Sequence, residues 1–331
     1  IPSAGFQDNV KFRNLIINSD MSIAQRGTSA TGIGNSDGGY HSLDRWGFRE
    51  TSSPSFEFTW SQSTDTPDGF GYSMKVDVTT AEASPVGYGI IQQRIEGQNL
   101  QYLKKGTSSA KSTTLSFWVK SNKTGTYIAE LRDADNSRHI SKSYTISSAN
   151  TWEKKTITYD GDTTGAFNND NGESLRLNFW LVADTNYTSG TLATSWSSIT
   201  NSTRAVGQTN LMDSTSNEWY ITGVQLEAGT TASDFEFLPH DANLNRCLRY
   251  FYFDDCDLQL VTGRVSDAFR VGYKQYPVPM RASPTFTVLT SNGELGNTSV
   301  SDTSQYAIRL QQSGSDGSVP RVLTYNFSAE L

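Results

Sequence analysis

The stretch Ile221-Thr222-Gly223-Val224-Gln225-Leu226-Glu227-Ala228-Gly229, followed by Asn245-Arg246-Cys247-Leu248-Arg249-Tyr250-Phe251, decides the architecture. The first part reads as the last strand of one β-domain. Asp241 then offers a helix N-cap, and Leu244, Cys247, Leu248 and Phe251 fall at helical spacing, which predicts a short helix of about ten residues. From Tyr250 the chain turns extended again and opens a second, smaller domain.

Upstream of this junction, apolar residues alternate with polar ones. Phe56, Phe58 and Trp60 form one such face, as do Tyr72, Met74, Val76 and Val78, then Leu115, Phe117 and Val119, then Leu175, Leu177, Phe179 and Leu181. A period of two with polar intervening residues marks antiparallel strands with one buried face. Turn signals such as Pro67-Asp68-Gly69 and Asp160-Gly161-Asp162 separate the strands. Many short strands in this order predict a jelly-roll β-sandwich. Downstream, Thr285–Thr290, Tyr306–Gln311 and Val322–Phe327 predict three further strands. The prolines between Tyr276 and Pro284 confine that segment to an edge or a crossing. The expected fold class is all-β, with an N-terminal connecting segment (1–12), a jelly roll (13–230), a linker with a short helix (231–252) and a smaller C-terminal β-domain (253–331), itself a sandwich.

Composition agrees with this plan. Hydrophobic residues are 35% of the 331, aromatics 11%, and Ser, Thr, Asn and Gly crowd the rest, which suits polar-faced strands and turns better than helix bundles. The formal net charge of −7 and scattered Lys and Arg argue against a nucleic-acid partner. No apolar run is long enough to suggest membrane insertion. Ile1-Pro2-Ser3-Ala4-Gly5 has neither the basic region nor the apolar core of a signal peptide. Cys247 and Cys256 are too few for a disulfide scaffold and are expected as free thiols.

Several motifs occur in a telling order: Asn14-Leu15-Ile16-Ile17-Asn18-Ser19-Asp20-Met21, Gln25-Arg26-Gly27, Asp44-Arg45-Trp46, the Ile221–Glu227 strand, Pro277-Val278-Pro279-Met280-Arg281 and the ending Ala329-Glu330-Leu331. In this order they resemble the modules of bacteriophage tail-fibre and related virion-surface proteins, with Ser19 standing where those modules usually carry glycine. The resemblance implies a carbohydrate-binding-module-like jelly roll followed by a C-terminal β-domain, displayed on a virion and often trimeric. It implies attachment to a host-surface polysaccharide or lipopolysaccharide, a homotrimer and contacts with other virion proteins. It supplies no catalytic residue. The rival readings are a non-adhesive head fibre, capsid decoration or tail-assembly protein, and a capsule depolymerase.

Candidate contacts follow from strand parity. Trp118 lies opposite Leu115, Phe117 and Val119, beside Ser116 and Lys120; Trp180 lies with Arg176 and Asn178, opposite Leu177 and Phe179. An indole on a polar sheet face can stack on the apolar side of a sugar while neighbours take its hydroxyls. It can equally fill a second core layer, cover a sheet edge or meet another subunit. Tyr187 and Trp196 fall in or beside the Ser/Thr-rich stretch 188–203, expected as a long exposed loop, and are secondary contact candidates. Trp46 is read as a structural anchor, with an Arg–carboxylate pair pinning the N-terminal segment.

Metal and enzyme signals are weak. Asp133-Ala134-Asp135-Asn136-Ser137 lacks the glycine and distal glutamate of a calcium loop and reads as a tight turn. A structural calcium near the strands entering and leaving the jelly roll would draw on Asp20 and Glu227; no other cofactor is expected. The Asp254-Asp255-Cys256-Asp257 cluster reads as solvated charge, because adjacent strand residues face opposite ways and cannot flank one glycosidic bond. Three histidines (His41, His139, His240) show no metal-ligand spacing, and neither a nucleophile elbow nor a phosphate loop occurs. The chain is expected not to be an enzyme.

Overall fold

The structure, a computed structural model, describes residues 12–254, 258–259, 269–292, 298–313 and 321–331. Residues 1–11, with most of the expected connecting segment, and Asp255, Cys256 and Asp257 lie outside the described residues.

The alternating segments form strands whose apolar faces meet in one core. The strands are β1 (Ser29–Gly34), β2 (Gly47–Thr51), β3 (Glu57–Ser63), β4 (Ser73–Thr80), β5 (Tyr88–Glu96) and β6 (Thr113–Ser121), then β7 (Gly125–Asp133), β8 (Arg138–Ile146), β9 (Glu153–Tyr159), β10 (Glu173–Ala183), β11 (Ser197–Ser198) and β12 (Glu218–Ala228). A four-residue helix, α1 (Thr185–Thr188), falls between β10 and β11. Two six-stranded antiparallel sheets face each other, ordered β1-β3-β4-β12-β6-β9 and β11-β8-β7-β10-β5-β2, making a jelly-roll β-sandwich. Phe56, Phe58, Trp60, Met74, Val76, Leu115, Phe117, Val119, Leu177, Phe179 and Leu181 are all fully buried in it. Edge-on aromatic contacts knit the layers, including Phe48 to Phe58 at 4.9 Å and Phe117 to Phe179 at 5.1 Å. Tyr72 departs from its expected place: β4 starts one residue later, and the Tyr72 ring is exposed.

The deciding motif owes its shape to one glycine. β12 pairs with β6 up to Thr222 and again from Gln225, and the register shift between them is a bulge. Gly223 sits there at φ +61°, where a Cβ would come within 2.6 Å of the Phe70 ring. Beyond the bulge the opening motif joins in: Leu15 N donates to Leu226 O at 2.9 Å, while Val224 N donates to Ser19 O at 3.0 Å. The buried Asn14 amide bridges the kink, donating to Val224 O at 3.1 Å and accepting from Leu226 N at 3.1 Å. The Asn-Leu-Ile-Ile-Asn and Ile-Thr-Gly-Val-Gln-Leu-Glu motifs are therefore two sides of one hydrogen-bonded seam. Gly223→Ala should lower the unfolding free energy by about 1–2 kcal/mol, from the left-handed backbone alone. Urea unfolding measures this, and an unchanged midpoint would show that the bulge relaxes freely.

Residues 231–239 cross the outer face of the first sheet, where Glu227 accepts from Ser233 N and Oγ and Gln225 holds Glu236 N. The helix α2 (His240–Leu248) follows. It is capped by Pro239, so Asp241 lies in the first turn and not at the N-cap. Cys247 is buried under it as a free thiol, beside Ile17, Ile23 and Tyr250.

The smaller domain is a second pair of sheets. One joins β13 (Phe251–Asp254), β14 (Leu258–Gln259), β16 (Thr285–Asn292) and β19 (Arg321–Ser328). The other joins β15 (Phe269–Gln275), β17 (Thr298–Thr303) and β18 (Ala307–Ser313). Tyr276, Met280, Ile308, Tyr325 and Phe327 form its core. Asp254 is not solvated as expected: it is buried, accepts from Tyr252 Oη at 2.5 Å and Tyr325 Oη at 3.0 Å, and pairs with Lys274.

Asp44-Arg45-Trp46 pins both ends of the described chain. Trp46 Nε1 donates to Asn18 O at 3.0 Å, and Asp44 accepts from Gln25 N at 3.0 Å, securing the N-terminal segment. The Arg–carboxylate pair instead reaches the last residues, because Arg45, 1% exposed, pairs with Glu330 and stacks 3.5 Å above the Tyr250 ring.

Candidate functional site

The outer face of the second sheet has a covered half and an open half. Residues 184–210 fold back over the covered half, where Tyr88, Ile90, Ile128, Trp180 and Ala205 form a separate apolar cluster. Glu130 is its polar centre and is fully buried. It accepts two bonds from Arg204 at 2.8 and 2.9 Å, one from Asn178 at 2.9 Å and one from Trp180 Nε1 at 3.1 Å, with His139 Nδ1 3.1 Å away. Burial alone would push the Glu130 carboxyl up, but Arg204 and these donors hold its pKa down to about 2.

This network corrects several expectations. Trp180 is buried on all sides and offers no face to a sugar. Asn178, also fully buried, serves Glu130. Tyr187 lies on the cover in α1, packed edge-on against Tyr88 at 4.9 Å. Trp196 is half-buried against the core, its Nε1 donating to Asp160 O at 2.7 Å. The stretch expected as a free recognition loop is a lid fastened by a buried ion pair, and short, isolated elements without periodicity gave no sign of it.

On the open half, Arg94 and Arg132 lie directly across from Arg176 on the neighbouring strands. Glu173 receives Arg176 at 2.7 and 2.9 Å and lies 3.3 Å from Arg94 Nε. Trp118 is on the other sheet, half-exposed between Lys154 and Thr222, so the two tryptophans singled out in the sequence lie on opposite faces of the sandwich and do not form one site.

A cleft of about 890 Å³ lies where the jelly roll, α2 and the smaller domain meet. Three exposed rings line it: Tyr102 (40% exposed), Phe12 (56%) and Tyr306 (61%). Between them lie Gln98, Asn99, Asp170, Asn171 and Gln305, together with Arg94 and Arg246. Its walls are tied across the junction. Arg249 donates to the buried Glu96 at 2.8 and 2.9 Å, Tyr250 Oη joins it at 2.5 Å, and Arg281 donates to Asn171 O at 3.0 Å. Burial pushes the Tyr102 phenol up to about 12, with Glu227 and Glu236 adding to the effect, so the ring stays neutral. Asp170 is the one carboxylate lining the cleft among the described residues.

Flat apolar rings beside amides, a carboxylate and guanidinium groups match a ligand with apolar ring faces and many hydroxyls. Neither Tyr102, in a single 3-10 turn, nor Tyr306, between strands, has a local pattern that marks it; only the tertiary fold brings them together.

Asp20 and Glu227 serve separate networks. Asp20 accepts from Ser22 Oγ at 2.9 Å and Asn243 Nδ2 at 3.1 Å, while Glu227 holds Ser233. Among the described residues no group of three or more His, Cys, Asp or Glu side chains gathers to hold a metal. The 133–137 turn is held by Asn136 N donating to Asp133 at 3.0 Å and by Lys105 2.6 Å from Asp133.

No protein-family model matches the chain, and no curated protein matches it in sequence. Among solved structures, the enzymatically active domain of tailspike protein 4 from bacteriophage CBA120 is 16% identical, with 66% of this chain and 22% of that one covered and a TM-score of 0.35. The chain thus spans 22% of that tailspike domain's length. A family 11 carbohydrate-binding module from Clostridium thermocellum, in complex with a β-1,3-1,4-mixed-linked tetrasaccharide, is 12% identical, with 62% and 99% covered and a TM-score of 0.30. A C-terminal family 22 carbohydrate-binding module of Clostridium thermocellum is 13% identical, with 63% and 98% covered and a TM-score of 0.30. Such scores assign no function.

Proposed function

We propose that this protein is a non-catalytic glycan-binding component of a bacteriophage particle, a tail fibre or receptor-binding part that attaches to host-surface polysaccharide or lipopolysaccharide. The observation that carries the reading is the junction cleft, in which Tyr102, Phe12 and Tyr306 expose ring faces over a polar floor. The ordered motifs that resemble tail-fibre proteins support the virion setting. A shallow, open site binds each sugar weakly, and several copies on one particle, as in a homotrimer, would raise avidity through effective concentration.

Binding is tested with the Tyr102→Ala/Tyr306→Ala double variant on immobilised host polysaccharide. Loss of two stacking rings, at about 0.5–1.5 kcal/mol each, should weaken binding by roughly 5- to 150-fold. Unchanged affinity with an intact fold would remove the cleft from the account, and absence of binding across a panel of host glycans would remove the function. Trp118→Ala, read in parallel, reports whether the half-exposed indole on the other sheet is a second contact.

A further inference from the structure

We infer that the open half of the second sheet is an anion site, built by Arg94, Arg176 and Arg132, and that the glycan this protein holds is acidic. The inference rests on the proposed function only in naming the carrier a glycan; the anion site stands on the arginine row itself.

Three arginines occupy directly opposed positions on three neighbouring strands, with Arg176 of β10 between Arg94 of β5 and Arg132 of β7. Like charges directly opposite on a sheet destabilise it. Glu173 offsets part of this by binding Arg176 and Arg94, and Arg94 Nη1 also donates to Leu331 O, yet a single carboxylate side chain serves the three guanidinium groups among the described residues. Among the described residues Arg132 has no ion pair, and its Nε is buried without a hydrogen-bond partner. Arg176 is only 6% exposed; burial lowers its pKa, Glu173 pulls it back up, and Arg94 and Arg132 push it down again, so the two neighbouring guanidinium groups oppose the one carboxylate. A carboxylate or phosphate oxygen would take the vacant donors in the bidentate fashion that guanidinium groups favour.

A second observation points to the same ligand. Gln92, the next outward residue on β5, is 3% exposed, and its Oε1 has no partner. It lines a pocket of about 410 Å³ together with Arg94, Tyr40, Arg49 and Glu50. An acceptor of this kind suits a sugar hydroxyl next to the charged group. Glu50 is the only carboxylate lining that pocket among the described residues, and burial raises its pKa. Arg94 also lines the junction cleft, so one chain of sugars can pass from the aromatic rings to the arginine row.

Thermal shift and calorimetry with sodium glucuronate, inorganic phosphate and glucose, at constant ionic strength, test the site. Glucuronate or phosphate should stabilise the protein saturably, and glucose should not do so through this row; the stronger of the two anions identifies the group that the glycan carries. Arg132→Gln should bind the anion roughly tenfold more weakly. Without anion, its Tm should equal or exceed that of the native protein, because repulsion is relieved. Glu173→Gln should bind the anion more tightly, since it frees two guanidinium groups. Absence of saturable stabilisation by either anion, or identical stabilisation of Arg132→Gln, would overturn the inference. Failure here with glycan still bound through Tyr102 and Tyr306 would remove the acidic class alone.

Discussion

Glu130→Gln should cost about 3–5 kcal/mol of stability, although it changes one atom and leaves the shape of the side chain intact. The substitution leaves the Arg204 guanidinium, whose side chain is 7% exposed, without its counter-charge, and an uncompensated buried charge carries a penalty of that size. It also places an amide donor among donors, because Arg204, Asn178 and Trp180 all point N–H groups at this carboxylate. Residues 184–210 should therefore loosen first and expose the Trp180, Ile90 and Ile128 cluster, which they cover. Urea unfolding gives the magnitude, and limited proteolysis should show new cleavage within 188–204. A loss under about 1 kcal/mol would mean that the lid is held by apolar packing alone.

The same carboxylate makes a pH prediction. Its folded-state pKa of about 2 lies below the ordinary value of 4.5. A depressed carboxyl stabilises the fold above its unfolded value, and that stability is lost as pH falls through the folded one. The advantage of the native protein over Glu130→Gln should therefore shrink between about pH 4.5 and 2. Asp44 works in the opposite sense. Burial lifts its pKa from 3.8 to about 6 against the pull of Arg26, so its contribution falls as pH rises through that interval. The difference between the two proteins isolates Glu130 from this background.

Glu330→Ala should have an effect of similar size, about 3–5 kcal/mol, by stranding Arg45 in the interior. Arg45 is 1% exposed and pairs with Glu330, which Arg26 also contacts at 3.1 Å. The backbone bond from Ala329 N to Tyr250 O at 2.8 Å and the side-chain bond from Arg281 Nε to Ala329 O at 2.7 Å depend on the same docking. The smaller domain should separate from the jelly roll before either unfolds, giving two melting transitions in calorimetry. Arg45→Met combined with Glu330→Leu should recover much of the loss, since an apolar pair of similar volume often replaces a buried ion pair at little cost.

Much of the scaffold was legible because it obeys short-range rules. Phe58 and Trp60, or Leu175, Leu177 and Phe179, alternate in sequence as they alternate in the sheet, and strand parity correctly put Trp180 on the face opposite them. Parity says nothing about what lies above that face. The lid arises from a stretch without periodicity, and Arg204, the residue that fastens it, is an isolated cation in the sequence. The helix was visible from Leu244, Cys247 and Leu248, but its cap shifted from Asp241 to Pro239, and Phe251, expected on the same helical face, opens β13 instead. The Arg–carboxylate pair was expected for Asp44-Arg45-Trp46, but its partner lies 285 residues away, beyond any local signal. For the same reason the cleft was invisible, since Tyr102 and Tyr306 meet only when the smaller domain docks.

The most direct test of the central claim is an NMR titration of the isotope-labelled protein with an oligosaccharide of a host-surface glycan that it binds. Saturable shifts should concentrate at Asn99, Tyr102, Asn171 and Tyr306, around the junction cleft. Shifts confined to Trp118 and the 231–239 crossing, with the cleft residues unmoved, would contradict it.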